Sequence, residues 1–144
     1  MSNTFLVAVD GSKGSVRAAD FATERALASK SNLVLAYVIE WSPYSFHTPE
    51  ELAERHKRRE EEIERAQTTV LEPIAKSVKG KGVKVDVVVN HGHPSETLVD
   101  LAKEHGATQI FIGRKGESRV ASLLFGSVAG SLVQTSPVPV TVVP

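Results

Sequence analysis

The sequence predicts an α/β fold: an open five-stranded parallel sheet, doubly wound into three α/β/α layers, with strand order 3-2-1-4-5. Three observations carry this reading. Five short runs are apolar at consecutive rather than alternating positions, as in strands buried on both faces. Segments with apolar residues at helical spacing separate most of them. Turn residues punctuate the strand ends, at Asp10-Gly11, Gly92 and Gly113.

The elements follow in order. Thr4 to Val9 reads as a buried strand ending at Asp10-Gly11. Ser12 is a suitable N-cap for a helix running to about Lys30, with Val16, Ala19, Phe21, Ala22, Ala26 and Leu27 giving it an apolar face. Leu33 to Ile39 is a second apolar strand. The aromatic, turn-prone run Trp41 to His47 reads as an ordered loop. A long helical pattern then spans about Thr48 to Val78, with Pro73 expected to bend it. Its first half carries Glu51/Arg55, Glu54/Arg58 and Glu61/Arg65 in the favourable i,i+4 order. With glutamates on both sides, Lys57-Arg58-Arg59 belongs to a solvated helix face rather than a nucleic-acid patch. Val83 to Val89 is the third strand, and Pro94 sits at the first turn of a helix that Gly106 ends after His105. Gln109 to Ile112 and Val138 to Val143 complete the five strands, with a last helix opening at Val128 between them. No repeat and no interdomain linker is visible, so residues 1–144 read as a single Rossmann-like domain.

Composition narrows the function classes. Seventeen basic residues balance seventeen acidic ones, so no broad attraction to nucleic acid or to an anionic membrane is expected. Cysteine is absent, which removes disulfides, thiolate catalysis and cysteine–metal sites together. The longest apolar run, Leu33 to Ile39, is too short to span a bilayer, and the N-terminus lacks the form of a signal peptide. The expectation is a cytoplasmic protein without membrane insertion.

The most informative spacing lies near the C-terminus. Gly113-Arg114-Lys115-Gly116 is followed by nine residues and then Gly126-Ser127. The run begins where the fourth strand ends and closes where a helix begins. Glycines there let the backbone approach an anion closely, and the first N–H groups of the helix point their partial positive charge at it. A phosphate chain is the simplest ligand. A purely structural strand–glycine–helix junction is the alternative, because neither a P-loop nor a Gly-x-Gly-x-x-Gly fingerprint is present. In a sheet ordered 3-2-1-4-5 the winding reverses between strands one and four, where ligands bind beyond the strand ends. Asp10 and Gly113, which end those two strands, should therefore be neighbours.

Other constellations carry less. His91-Gly92-His93 lacks an evident third metal ligand, and neither Ser12 nor Ser127 lies in a nucleophile elbow. His47, His56 and His105 are unpatterned. Trp41, Tyr44 and Phe46 would wall a base or cover an interface, and the sequence does not choose between the two.

Across its whole length the chain resembles the universal stress proteins, in the subfamily that binds ATP. The resemblance rests on Val7-Ala8-Val9-Asp10-Gly11-Ser12, Gly92-His93-Pro94-Ser95-Glu96, Gly113-x2-Gly116-x9-Gly126-Ser127 and the closing Pro137 to Val143. It implies an ATP site, with Mg²⁺ accompanying the phosphates. Asp10 would stand beside the nucleoside, with Ala8 and Ile112 completing the strand-end wall. Val38 would read the adenine edge through its backbone, Gly113 would approach the ribose, and Gly116, Gly126, Ser127 and Val128 would surround the phosphates. It also implies a homodimer through the last strand. The chain departs from the family at Glu117, often basic there, and at Arg114-Lys115, usually Thr/Ser-His; these two cations would offset Glu117 or serve a partner surface. Thr108-Gln109 replaces an Asp common before the strand, a change expected to affect only local capping.

The expected function is an ATP-binding stress-response regulatory module whose nucleotide state modulates oligomerisation or association with an unidentified partner protein, such as a transporter or an enzyme. It is not expected to be an enzyme. The alternatives are a slow ATPase or nucleotidyl or phosphoryl transferase, and a nucleotide-free dimerisation module.

Overall fold

A computed structural model of the chain describes residues 3–40, 48–115 and 126–144. The five strands are β1 (Thr4–Ala8), β2 (Asn32–Glu40), β3 (Val85–Gly92), β4 (Ala107–Gly113) and β5 (Val140–Val143). They form one sheet in the order β3-β2-β1-β4-β5, every pair parallel, as the sequence predicts. The connecting helices are α1 (Lys13–Ser29), α2 (Pro49–Arg65), α3 (Glu72–Gly80), α4 (Pro94–Glu104) and α5 (Ser127–Thr135).

Alternate residues of the central strands point to opposite faces. Phe5 and Val7 of β1 join Leu33, Leu35 and Phe111 under the alanines of α1 and under Leu71 and Val78. Leu6 and Ala8 join Val34, Ala36, Ile110 and Ile112 under Leu98 and Leu101 of α4 and Ala129 and Leu132 of α5. Both faces are apolar because both are covered, which explains the unbroken apolar runs. The expectation of full burial fails at the edge: Asp86 and Val87 of β3 are exposed, since no strand lies beyond them.

Several boundaries shift, three of them for a clear local reason. At the end of α3, Lys81 N–H and Gly82 N–H still bond to Val78 and Lys79 carbonyls, so β3 begins at Val85 rather than Val83. It then runs on through Asn90, His91 and Gly92, because β2 extends to Glu40 and supplies their partners. β5 begins at Val140 rather than Val138; Pro139 contributes only its carbonyl, which accepts from Ile110 N–H. Just before Pro73, where a bend is expected, the helix carries a widened π-helical turn over Ala66–Leu71. Glu72 N–H there reaches back to the Gln67 carbonyl, a spacing that makes room ahead of a proline ring that would collide with an ordinary turn.

Helix α2 is built with little packing: none of its residues is fully buried. Thr48 and Glu51 close a capping box at its start, and Glu54–Arg58 (3.3 Å) and His56–Glu60 (3.1 Å) pair along its surface. Glu61 and Arg65 form no ion pair among the described residues. The aromatic run 41–47 lies outside those residues. Among the described residues no helix is long and apolar enough to cross a membrane.

Candidate functional site

The parallel sheet brings the carboxyl ends of β1, β2 and β4 to one edge, and the next helices start there. A cavity of about 350 Å³ opens at that edge, within the range of small-molecule pockets. Ala8 and Asp10 line it from β1, Val38 from β2, Ile112 and Gly113 from β4, and Gly126, Ser127 and Val128 from the start of α5. These are the site residues expected from sequence, except Gly116, which lies outside the described residues. Asp10 and Gly113 are thus neighbours at the point where the winding reverses.

The floor is small and apolar. Ala8, Ala36, Ala129, Leu98 and Ile112 line an apolar slot that offers a ligand dispersion contacts. The rim is polar. Three helices begin at the cavity: α1 through Ser12 and Ser15, α4 through Pro94, and α5 through Gly126 to Val128. Each start carries roughly half a positive charge from its aligned peptide dipoles. Neither α4 nor α5 has a side-chain cap. The first N–H groups of α5 are therefore not occupied by a capping side chain, which suits them to an anion.

Asp10 is fixed by the helix that follows it. Ser12 donates to Asp10 Oδ1 from its backbone N–H (2.9 Å) and also from its hydroxyl. The same Ser12 hydroxyl oxygen accepts from Ser15 N–H at 3.1 Å, so one side chain caps α1 and aims the carboxylate. Gly11, at φ +83°, makes the turn between them.

Val38 owes its place at the cavity to strand lengths. The Ala36 carbonyl accepts from Val9 N–H at 2.8 Å, so the Ala36 backbone faces β1. Backbone polar groups alternate sides along a strand, so those of Val38, two residues on, face the same way. The β1–β2 ladder has ended by then, at Ala8↔Ala36, and the Val38 N–H and C=O look into the cavity.

Gly113 has a second reason to be glycine. A Cβ there would lie 2.8 Å from the carbonyl carbon of Gly14 and 2.9 Å from its oxygen, so α1 sits directly on the end of β4. Beyond it, Arg114 N–H donates to Val143 O (2.8 Å) and Gly126 N–H donates to Arg114 O (2.7 Å).

The residues not anticipated as lining are Val9, Ser12, Ser15, Ala36, Tyr37, Glu40, Pro94, Leu98 and Ala129. Some had a signal. Ala36 precedes Val38 by one strand period, and Leu98 follows Pro94 by one helical turn. His91 and His93 do not gather a metal site: among the described residues no group of three or more His, Cys, Asp or Glu side chains could hold an ion.

Fold and cavity together define an open α/β protein with a cavity at its topological switch point. Its closer identity comes from likeness to known proteins. The model of the universal stress protein family matches residues 1–144, and the chain belongs to that family. It is 28% identical over 150 residues to universal stress protein YxiE of Bacillus subtilis, covering 99% of both chains. It is 30% identical over 145 residues to a universal stress protein of Thermus aquaticus, again covering 99% of both. Its fold superposes on universal stress protein UspA from Lactobacillus plantarum with TM-score 0.86, at 24% identity and covering 99% and 97% of the two chains. A universal stress protein solved in complex with cAMP superposes with TM-score 0.71 at 25% identity, covering 99% and 97%.

Proposed function

We propose that this chain is an ATP-binding regulatory module that acts by changing its assembly or its association with a partner protein. One observation carries the reading: a small apolar slot and an uncapped helix start, that of α5, open into the same cavity. Adenine would occupy the slot among Ala8, Ala36, Val38, Leu98 and Ile112. Asp10 would face the ribose, and the phosphates would run toward Gly126, Ser127 and Val128, with Mg²⁺ accompanying them. The cAMP complex of a relative supports a nucleotide as the ligand class.

The module binds rather than catalyses. The described lining offers the carboxylates of Asp10 and Glu40 but no Lys, Arg or His, whereas phosphoryl transfer needs cations on the developing charge. Its output would be linkage. Ligand at 100 times its dissociation constant stabilises the competent state by about 2.7 kcal/mol.

The assembly would be a two-fold dimer through β5. This strand pairs with β4 on one side only, and Val140, Thr141 and Val142 are half-buried. A second copy of the strand would satisfy the open edge. Light scattering of the purified chain at micromolar concentration, with and without ATP, tests this reading. A dimer or larger species whose mass or partner affinity responds to ATP is expected; a monomer under both conditions would overturn it.

A further inference from the structure

Four of the seventeen lysines and arginines converge at one corner of the molecule, outside the cavity. Lys13 and Arg17 lie one turn apart on α1, and Arg114 and Lys115 follow the end of β4; all four are exposed. Backbone contacts fix the convergence. A Cβ on Gly14 would lie 2.6 Å from the Lys115 carbonyl oxygen and 3.7 Å from Arg17 Nη2, so the guanidinium and the β4 exit share one spot. Arg17 Nε–H also donates to the Pro144 carbonyl at 3.2 Å, while Arg114 N–H bonds to Val143 O. None of the four pairs with a side-chain carboxylate among the described residues. Asp20, one turn beyond Val16, faces Lys81 at 3.9 Å.

We propose that this corner is a docking surface for an acidic segment of a partner protein. Two observations favour a peptide over a phosphate ligand. The four cations do not line the cavity, so they do not belong to the nucleotide's own pocket. Val16 sits on the same helix face as Lys13 and Arg17 and is 41% exposed, an apolar contact that a peptide side chain fills and a phosphate backbone does not. The surface adjoins the nucleotide site through the Gly126 N–H···O=C Arg114 bond, so a docked segment and a bound nucleotide would share one backbone link.

Fluorescence anisotropy of a short labelled polyglutamate peptide against the full chain, with nucleotide removed, tests the proposal independently of any ATP site. The wild type is expected to bind it, more weakly as salt rises, and to ignore a polylysine peptide of equal length. Lys13→Glu/Arg17→Glu/Lys115→Glu should lower that affinity at least about tenfold while changing ATP affinity by less than about threefold. Lys13→Gln/Lys115→Gln, which keeps the Arg17–Pro144 bond, should give a smaller loss in the same direction. Absence of peptide binding, or equal binding by the charge-reversed chain, would overturn the proposal. So would loss of ATP affinity alongside peptide affinity, which would assign the cations to the nucleotide's phosphates.

Discussion

Gly113 and Gly14 are in backbone contact: a Cβ on Gly113 would come within 2.8 Å of the Gly14 carbonyl carbon. The last residue of β4 and the first turn of α1 thus approach more closely than any side chain allows. Gly113→Ala should therefore destabilise the fold by about 1–3 kcal/mol, as overpacking against backbone does. Gly14→Ala should also destabilise, because the ~1 kcal/mol gained in helix propensity is smaller than the clash with Lys115 O. Urea unfolding of both variants checks this, and a stabilised Gly14→Ala would show that α1 does not sit as described.

Ser12→Ala removes two interactions at once, the hydroxyl cap of α1 and the hydroxyl bond to Asp10, and leaves the backbone N–H bond to Asp10 in place. Stability should fall by about 0.5–2 kcal/mol, the usual loss on removing a cap. Nucleotide affinity should fall too, because the Asp10 carboxylate loses the hydroxyl donor that helps aim it. Ser12→Thr, which keeps the hydroxyl, should restore both. Affinity unchanged in Ser12→Ala would mean that the placement of Asp10 does not depend on the Ser12 hydroxyl.

The open edge of β5 predicts an assembly defect. Val142→Pro removes a backbone donor from a four-residue strand that also carries part of the core. The expected product is monomeric or insoluble protein, distinguished by light scattering and solubility. A soluble dimer from this variant would place the interface elsewhere.

Turnover should be slow. With no cation in the described lining, phosphate release is expected below about 1 s⁻¹. Faster steady-state release that Asp10→Asn or Ser127→Ala abolishes would move the protein into the enzyme class.

How much of this was legible in the sequence depends on the range of the interaction that decides each feature. The central strands were legible because Leu6, Val7, Leu35 and Ile110 are apolar on both faces, a pattern set by coverage of the whole sheet. The site was legible through Asp10, Gly113 and Gly126-Ser127, because a parallel sheet brings such strand ends and helix starts together. Gly14 was not, since its only requirement is a carbonyl that follows it by about a hundred residues in the chain. The polar end of β3, Asn90 to Gly92, was missed because its strand character comes from Val38 to Glu40 beside it. The turn at Ala66–Leu71 reflects a proline that lies beyond it, so the distortion and its cause occupy different residues. Gly116, Glu117 and the aromatics Trp41, Tyr44 and Phe46 lie outside the described residues.

Titration calorimetry of ATP and AMP, with Mg²⁺, into the wild type and Gly126→Val tests the central claim most directly. Gly126 caps α5 with φ −63° and ψ 158°, a conformation that valine adopts, so the variant should fold at a stability loss of about 1 kcal/mol. The wild type should bind ATP more tightly than AMP, because the added phosphates meet the uncapped start of α5. Gly126→Val should lose at least about tenfold in ATP affinity, roughly 1.4 kcal/mol, as its side chain enters the phosphate path. No binding by the wild type at millimolar ATP, or equal ATP binding by both proteins, would contradict the account.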